Sequence, residues 1–245
     1  MNTIKTWTPT SLDTFEQCRF RAKLRNIDKI PEPERPPLPA GKEYPNDRGT
    51  RVHDETDLYV KGTSDALPVE AKHFVDEIQA AREWAAQGLV EAENLWAFSE
   101  DWNTVGSNDW KLHWGRLKID LFVRLSPEEA LVVDYKTGRR DGNELKHNDQ
   151  TMIYGVAARA RYPELQYVTT ELWYFDQNDL AQRTYTAKQL DKLQRGVHRR
   201  AVEMTTTTSF PPNPSKHTCR FCPYKTGELG RSGVMGTGHC IMNPE

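Results

Sequence analysis

The chain lacks any apolar run of the roughly 18–20 residues that crossing a bilayer requires, so no membrane-embedded role is expected. Its first residues, MNTIKTWTPTS, do not have the charged-then-apolar layout of a secretory leader, and a cytoplasmic protein is the expectation. Charge of one sign is missing too. The 33 Lys and Arg against 35 Asp and Glu leave a net charge of −2, which neither announces a nucleic-acid binder nor excludes one, because a groove needs only local positive charge. Cysteine is scarce. Four cysteines in a cytoplasmic chain read as metal ligands or inert core residues rather than as a disulfide framework. Internal repeats are absent as well.

What is present is enough chain, 245 residues, to bury a sizeable core. The expected organisation is a single domain over 1–245: an N-terminal helix within 1–30 that carries Cys18, a Pro-rich connection at 31–47, a core over 48–204, and a cysteine-containing tail at 205–245. Residues 11–26 predict a helix capped by Ser11, with Leu12, Phe15 and Cys18 on one face. Further helices are expected over 47–61, ended by Gly62, over 68–87, stopped at Gly88, and over 142–161 and 187–204. Strands are expected at 93–102, 110–125, 130–136, 167–175 and 182–186. The tail, rich in Gly, Pro and Thr, cannot bury enough apolar area to fold unaided, so a metal or docking must hold it. Basic residues cluster at Arg19, Arg21, Lys23 and Arg25, at Lys136, Arg139 and Arg140, and at Arg195, His198, Arg199 and Arg200; a solvated face balanced by nearby acids is the plainer reading of each.

One strand ends oddly. LVVDYKTG, residues 131–138, places Asp134 and Lys136 two positions apart and therefore on one face. Residues 117–125 alternate Leu117, Ile119, Leu121 and Val123 against Lys118, Asp120, Phe122 and Arg124, and an odd-length loop at 125–129 joins the two strands. Pairing the aliphatic set with Leu131 and Val133 selects the register in which Asp120 and Asp134 share a face with Lys136. Two such carboxylates repel unless a proton or cation lies between them, and oxygen ligands favour Mg²⁺ or Mn²⁺. A lysine beside them could orient a water or neutralise charge developing on a phosphate. The competing reading is a hairpin whose polar face carries a surface salt bridge of little value.

The order of short motifs then adds a resemblance. Ile119-Asp120 followed by Val-Val-Asp134-Tyr135-Lys136 resembles the PD-(D/E)XK nuclease superfamily, with Ile119 in place of the proline. It is most similar to the RecB-like branch, which includes CRISPR-associated RecB-like exonucleases and the AddB nuclease domain. Gly49-Thr-Arg-Val-His53 resembles that branch's G-x-x-x-H, and Gln150-Thr-Met-Ile-Tyr154 its Q-x-x-x-Y. The opening SLDTFEQC segment and Cys219-Arg-Phe-Cys222 resemble its terminal cysteine segments. The resemblance implies an α/β, restriction-endonuclease-like fold: an αβββαβ core with a mixed sheet flanked by helices, an added N-terminal helical region and a metal-stapled C-terminal tail. It implies that His53, Asp120, Asp134 and the Tyr135 backbone carbonyl hold Mg²⁺ or Mn²⁺. It further implies catalytic roles for Lys136, Gln150 and Tyr154. Glu93 and Glu100 precede the hairpin and have no fixed place in this reading.

A C-x-x-C spacing lets two thiolates hold one metal centre, so Cys219 and Cys222 are expected to share one. In iron–sulfur members of the resembled branch, an N-terminal cysteine joins three C-terminal ones around a [4Fe–4S] cluster. That implies Cys18, Cys219, Cys222 and Cys240 as the ligands, although Cys240 follows Cys222 by eighteen positions. The alternative is zinc on Cys219, Cys222, Cys240 and either His217 or His239. The implied activity is metal-dependent cleavage of DNA, on single strands or at ends. A catalytically silent DNA-binding accessory protein and a structure- or sequence-specific endonuclease are the alternatives.

Overall fold

The computed structural model describes residues 3–106, 108–230 and 232–242. The chain divides into two compact units, one of residues 42–197 and one of residues 1–41 with 198–245.

In the first unit, helix α3 (Pro45–Val60) opens with proline at its first turn, where a missing N–H costs nothing, and is followed by Gly62 at φ +71°. The expected helix over 68–87 is instead a 3₁₀ turn at Val69–Ala71 and helix α4 (Val75–Ala86). Strand β1 (Val90–Phe98) ends before the predicted 102. A two-residue strand β2 (Thr104–Val105) and a 3₁₀ turn at Trp110–Leu112 separate it from β3 (Gly115–Arg124), so 110–114 is not strand. Strand β4 (Glu129–Lys136), helix α5 (Glu144–Arg161), β5 (Tyr167–Tyr174) and β6 (Asp179–Thr186) follow. Helix α6 (Ala187–Thr206) runs from this unit into the other at residue 198.

The six strands form one mixed sheet in the order β2-β1-β3-β4-β5-β6, with β4 and β5 parallel and every other pair antiparallel. The parallel pair needs a crossover, and α5 supplies it. The hydrophobic alternation sets the register as expected: Leu121 pairs with Val133 and Val123 with Leu131. These four residues join Val52 and Val60 of α3, Ile78 and Ala81 of α4, and Phe74, Tyr135, Trp173 and Phe175 in one core cluster. Fully burying each such side chain contributes about 1.5–3 kcal/mol, so this cluster is a substantial part of the unit's stability. The mixed sheet flanked by helices is the restriction-endonuclease-like arrangement.

In the second unit the predicted 11–26 helix is broken into α1 (Pro9–Gln17) and α2 (Arg19–Asn26). The break is Cys18, whose backbone is extended at φ −159°, ψ 106°. Thr8, not Ser11, caps α1; the two residues form a reciprocal capping box, with the Ser11 N–H donating to Thr8 Oγ1 and the Thr8 N–H to Ser11 Oγ. The tail is nearly free of regular structure, with one short helix α7 (Lys216–Cys219) and isolated bridges Lys225↔Cys240 and Glu228↔Met235. Cys222 and Tyr224 are buried against Leu24, with Phe20, Ile30 and Cys240 packed around them. The Tyr224 hydroxyl donates to the Ile30 carbonyl at 3.2 Å and the Asn213 amide to the Gln17 carbonyl at 3.0 Å. Among the described residues, no helix is long and apolar enough to cross a membrane.

Candidate metal centre

The register carries Asp120 and Asp134 onto one face, and both are buried, at 6% and 1% exposure. The β3–β4 ladder runs from Arg124↔Ala130 to Leu121↔Val133; next along it, the Asp120 carboxylate accepts the Tyr135 backbone N–H at 2.8 Å. The Tyr135 ring lies in the core cluster, so only its main chain faces this edge. A residue's N–H and C=O leave a strand on the same edge, which turns the Tyr135 carbonyl toward the same gap.

Helix α3 adds His53, whose Nδ1 is 3.2 Å from Asp120 Oδ1 and 3.7 Å from Glu93 Oε1. Glu93 is the residue that sequence reasoning left unplaced. On β1 it stands across from Asp120, between the pairs Ala92↔Leu121 and Asn94↔Ile119, and its backbone is left-handed at φ +50°. Such a conformation costs a non-glycine residue of order 1 kcal/mol and clusters at functional sites. Neither buried Glu93 oxygen accepts a hydrogen bond, although the carboxylate touches His53 and Lys118 as ion-pair partners. Sequence carried only a weak signal for it, an acid in a strand preceding the hairpin. Glu100, the other open candidate, is exposed in the turn after β1.

Among the described residues, His53, Glu93 and Asp120 alone bring three metal-ligating atoms within 4.8 Å of one another. Desolvated carboxylates next to an imidazole form a donor set that suits a divalent cation. Protonation behaviour agrees. Asp134 is pushed up to about 6 by burial, against the pull of Lys136. Asp120 titrates below its usual range because the charges of His53 and Lys136 and the Tyr135 N–H outweigh its burial. His53 is raised to about 10, since Asp120, Glu93 and Asp134 favour its proton more than burial opposes it.

Lys136 lies against Asp134 and its ammonium donates to Gln150 Oε1 at 3.1 Å. The Gln150 amide in turn donates to the Tyr154 hydroxyl at 2.7 Å, one helical turn away on α5. Tyr154 stays a phenol well above its ordinary range, burial being the chief cause. Gly155 lets this helix seat close to the sheet: a Cβ there would lie 3.3 Å from Thr170 Cγ2 and 3.4 Å from Leu190 Cδ2. Arg48, which the sequence did not single out, fastens the chain beyond Lys136. Its guanidinium donates to the Thr137 carbonyl at 3.1 Å and grips Asp176 with both terminal nitrogens.

Helix α3 and the antiparallel strands β1, β3 and β4 thus converge two aspartates, a glutamate, a histidine and a lysine near the middle of the sheet. The sequence profile of the PD-(D/E)XK nuclease superfamily matches residues 6–226. The chain belongs to that superfamily. Its members typically use divalent metals and act on nucleic acid, which makes this chain a nuclease by descent. A crystal structure of a "Putative exonuclease" from Eubacterium rectale is similar at 11% identity, with 91% of this chain and 89% of that one covered and a TM-score of 0.52. The crystal structure of SSO0001 matches at 13% identity, covering 91% and 84%, with a TM-score of 0.39. At such identities the likeness concerns the fold. No curated protein matches the chain in sequence.

The four cysteines all lie in the unit formed by the chain ends and line one small pocket of about 20 Å³, together with the apolar side chains of Phe20, Leu24 and Met242. The basic clusters are largely satisfied: Arg19, Lys23, Arg25, Arg140 and Arg200 each pair with a carboxylate.

Proposed function

We propose that the protein is a metal-dependent deoxyribonuclease of the RecB-like branch, cutting DNA phosphodiester bonds on single strands or at ends as an exonuclease. The observation that carries this reading is the convergence of His53, Glu93 and Asp120 beside Asp134 and Lys136. In it, His53, Glu93, Asp120, Asp134 and the Tyr135 carbonyl hold Mg²⁺ or Mn²⁺. When bound, such an ion lowers the pKa of a water and neutralises charge on the phosphate.

The chain's own groups do the positioning. Asp134 aims Lys136, and Gln150 holds the ammonium from the other side. Lys136 then orients the attacking water and offers positive charge to the non-bridging phosphate oxygen as that charge grows. Tyr154, locked as a phenol, fixes the Gln150 amide so that its oxygen faces the lysine. The buried carboxylates exclude bulk water from the reacting centre, which strengthens each of these interactions.

For the cysteines, we propose a [4Fe–4S] cluster on Cys18, Cys219, Cys222 and Cys240. A single zinc with Zn–S of about 2.3 Å would bring its sulfurs to roughly 3.8 Å of one another. No three of these sulfurs lie within 4.8 Å, among the described residues, while all four line one pocket. The cluster's role is to staple the tail to α1 and α2.

Labelled single- and double-stranded DNA incubated with Mg²⁺, Mn²⁺ or EDTA tests the catalytic reading. Cleavage should need the metal, and Asp134→Ala should lower the rate by about a hundredfold or more. Cleavage in EDTA, or an Asp134→Ala variant as active as the parent, would overturn it.

A further inference from the structure

The segment between β1 and β3 carries three tryptophans and treats them unequally. Trp102 and Trp114 are buried, each 8% exposed; the Trp102 ring lies 5.7 Å from that of Phe98 and 6.1 Å from that of Trp114. His113, also buried, ties the excursion down through a 2.9 Å hydrogen bond between its Nε2 and the Gly106 carbonyl. Trp110 is left outside at 58% exposure, beside exposed Leu112 and Lys111. Trp110 rests on the buried His113 ring, 5.1 Å between centres, yet more than half of it stays open to solvent. The exposed indole is not bare, however: the Arg116 guanidinium stacks on it 4.7 Å from the ring centre, and the buried Arg116 Nε donates to no atom among the described residues.

The position of Arg116 gives this pair a direction. Arg116, Lys118 and Asp120 are alternate residues of β3 and point to one face. Four residues of strand span roughly 13 Å, so a line of two cations leads from the metal-ligating Asp120 to the indole. At about 3.4 Å per stacked nucleotide that distance holds about four nucleotides, fewer when the strand is extended. A flat aromatic face beside a guanidinium is what a base accepts, and positive charge between is what the connecting phosphates accept.

We propose that Trp110 and Arg116 form a base-stacking platform that holds a single-stranded nucleic acid a few nucleotides from the phosphate to be cut. This rests on the nuclease reading for its register but not for its binding. The platform is sequence-tolerant, because every base has a face to stack, and it selects against fully paired duplex, whose bases are covered on both sides.

Two measurements on the full-length protein separate the platform from catalysis. The first is fluorescence anisotropy of a labelled oligothymidylate of about 16 nucleotides, in EDTA so that nothing is cut. The second is metal-dependent hydrolysis of thymidine 5′-(4-nitrophenyl) phosphate, too small to reach the platform. Trp110→Ala should weaken oligonucleotide binding about tenfold, Trp110→Phe should restore most of it, and Trp110→Leu, which keeps apolar bulk without a flat face, should not. All three should hydrolyse the small diester at the parent rate. Unchanged anisotropy for Trp110→Ala, full rescue by Trp110→Leu, or an equal loss on the small diester would overturn the platform. Tight oligonucleotide binding that depends on Trp110 in a protein that cleaves neither substrate would refute the catalytic reading and leave the platform standing.

Discussion

Asp120 and Asp134 share a sheet face, yet burial and neighbours push them in opposite directions, and His53 collects the proton that the carboxylates jointly favour. An imidazole raised to about 10 is protonated at neutral pH, so a cation arriving at Nδ1 must displace a proton. Below about 6 a second proton, on Asp134, also competes. Between about pH 7 and 9 the affinity for Mn²⁺, measured by calorimetry, should therefore rise with pH by up to about tenfold per unit. His53→Gln should flatten that slope as well as weaken binding. The same shift acts on folding with the opposite sense. The metal-free protein gains stability from His53 below its ordinary 6.5 and loses it as pH rises through about 10. Hence alkaline conditions that favour metal binding weaken the metal-free fold. Asp120, Asp134 and Lys136 could be placed from sequence because a period of two leaves only one register that buries the aliphatic residues. Glu93 could not, because its left-handed backbone depends on the strands around it rather than on any local sequence preference.

At the scale of elements, α5 does two jobs that conflict: it must cross over between parallel strands and still bring Gln150 against Lys136. Gly155 reconciles them, adjacent to Tyr154 and tight against Thr170 and Leu190. Gly155→Val should destabilise the protein by about 1–3 kcal/mol in urea unfolding, through overpacking that outweighs its better helix propensity. Cleavage per folded molecule should fall as well, since the helix must lift and carry Gln150 away from Lys136. Element type was legible from periodicity for α3, β3, β4, α5 and β5. The break at Cys18 was not, because a run of good helix formers such as Phe-Arg-Ala-Lys-Leu says nothing of a residue held extended by its tertiary surroundings. Nor was the end of β1 at Phe98: alternation in a tryptophan-rich stretch reads as strand even where the rings build a compact loop.

The chain consists of a sheet-centred unit that carries the candidate metal centre and a second unit assembled from both ends of the sequence. The second has little regular structure and a small core of Leu24, Cys222 and Tyr224. Under the cluster proposal, purified protein should be brown, and Cys222→Ala should be colourless. The variant's tail beyond residue 206 should become protease-sensitive while a fragment spanning 42–197 resists digestion. A colourless parent containing stoichiometric zinc would sink the iron–sulfur assignment. Cys18 lines one pocket with the three C-terminal cysteines, although some two hundred residues separate it from them in sequence.

The interleaving of the units also sets an order of events on the ribosome. Residues 42–197 emerge entire while the terminal unit is still only half made, so the sheet can form first, and α1 and α2 must wait for partners some two hundred residues behind them. A chain halted between residue 198 and Cys240 would already hold every residue of the candidate metal centre while its cysteine pocket stayed unclosed. Closing that pocket thus waits for Cys240, which is made after every residue of the candidate metal centre.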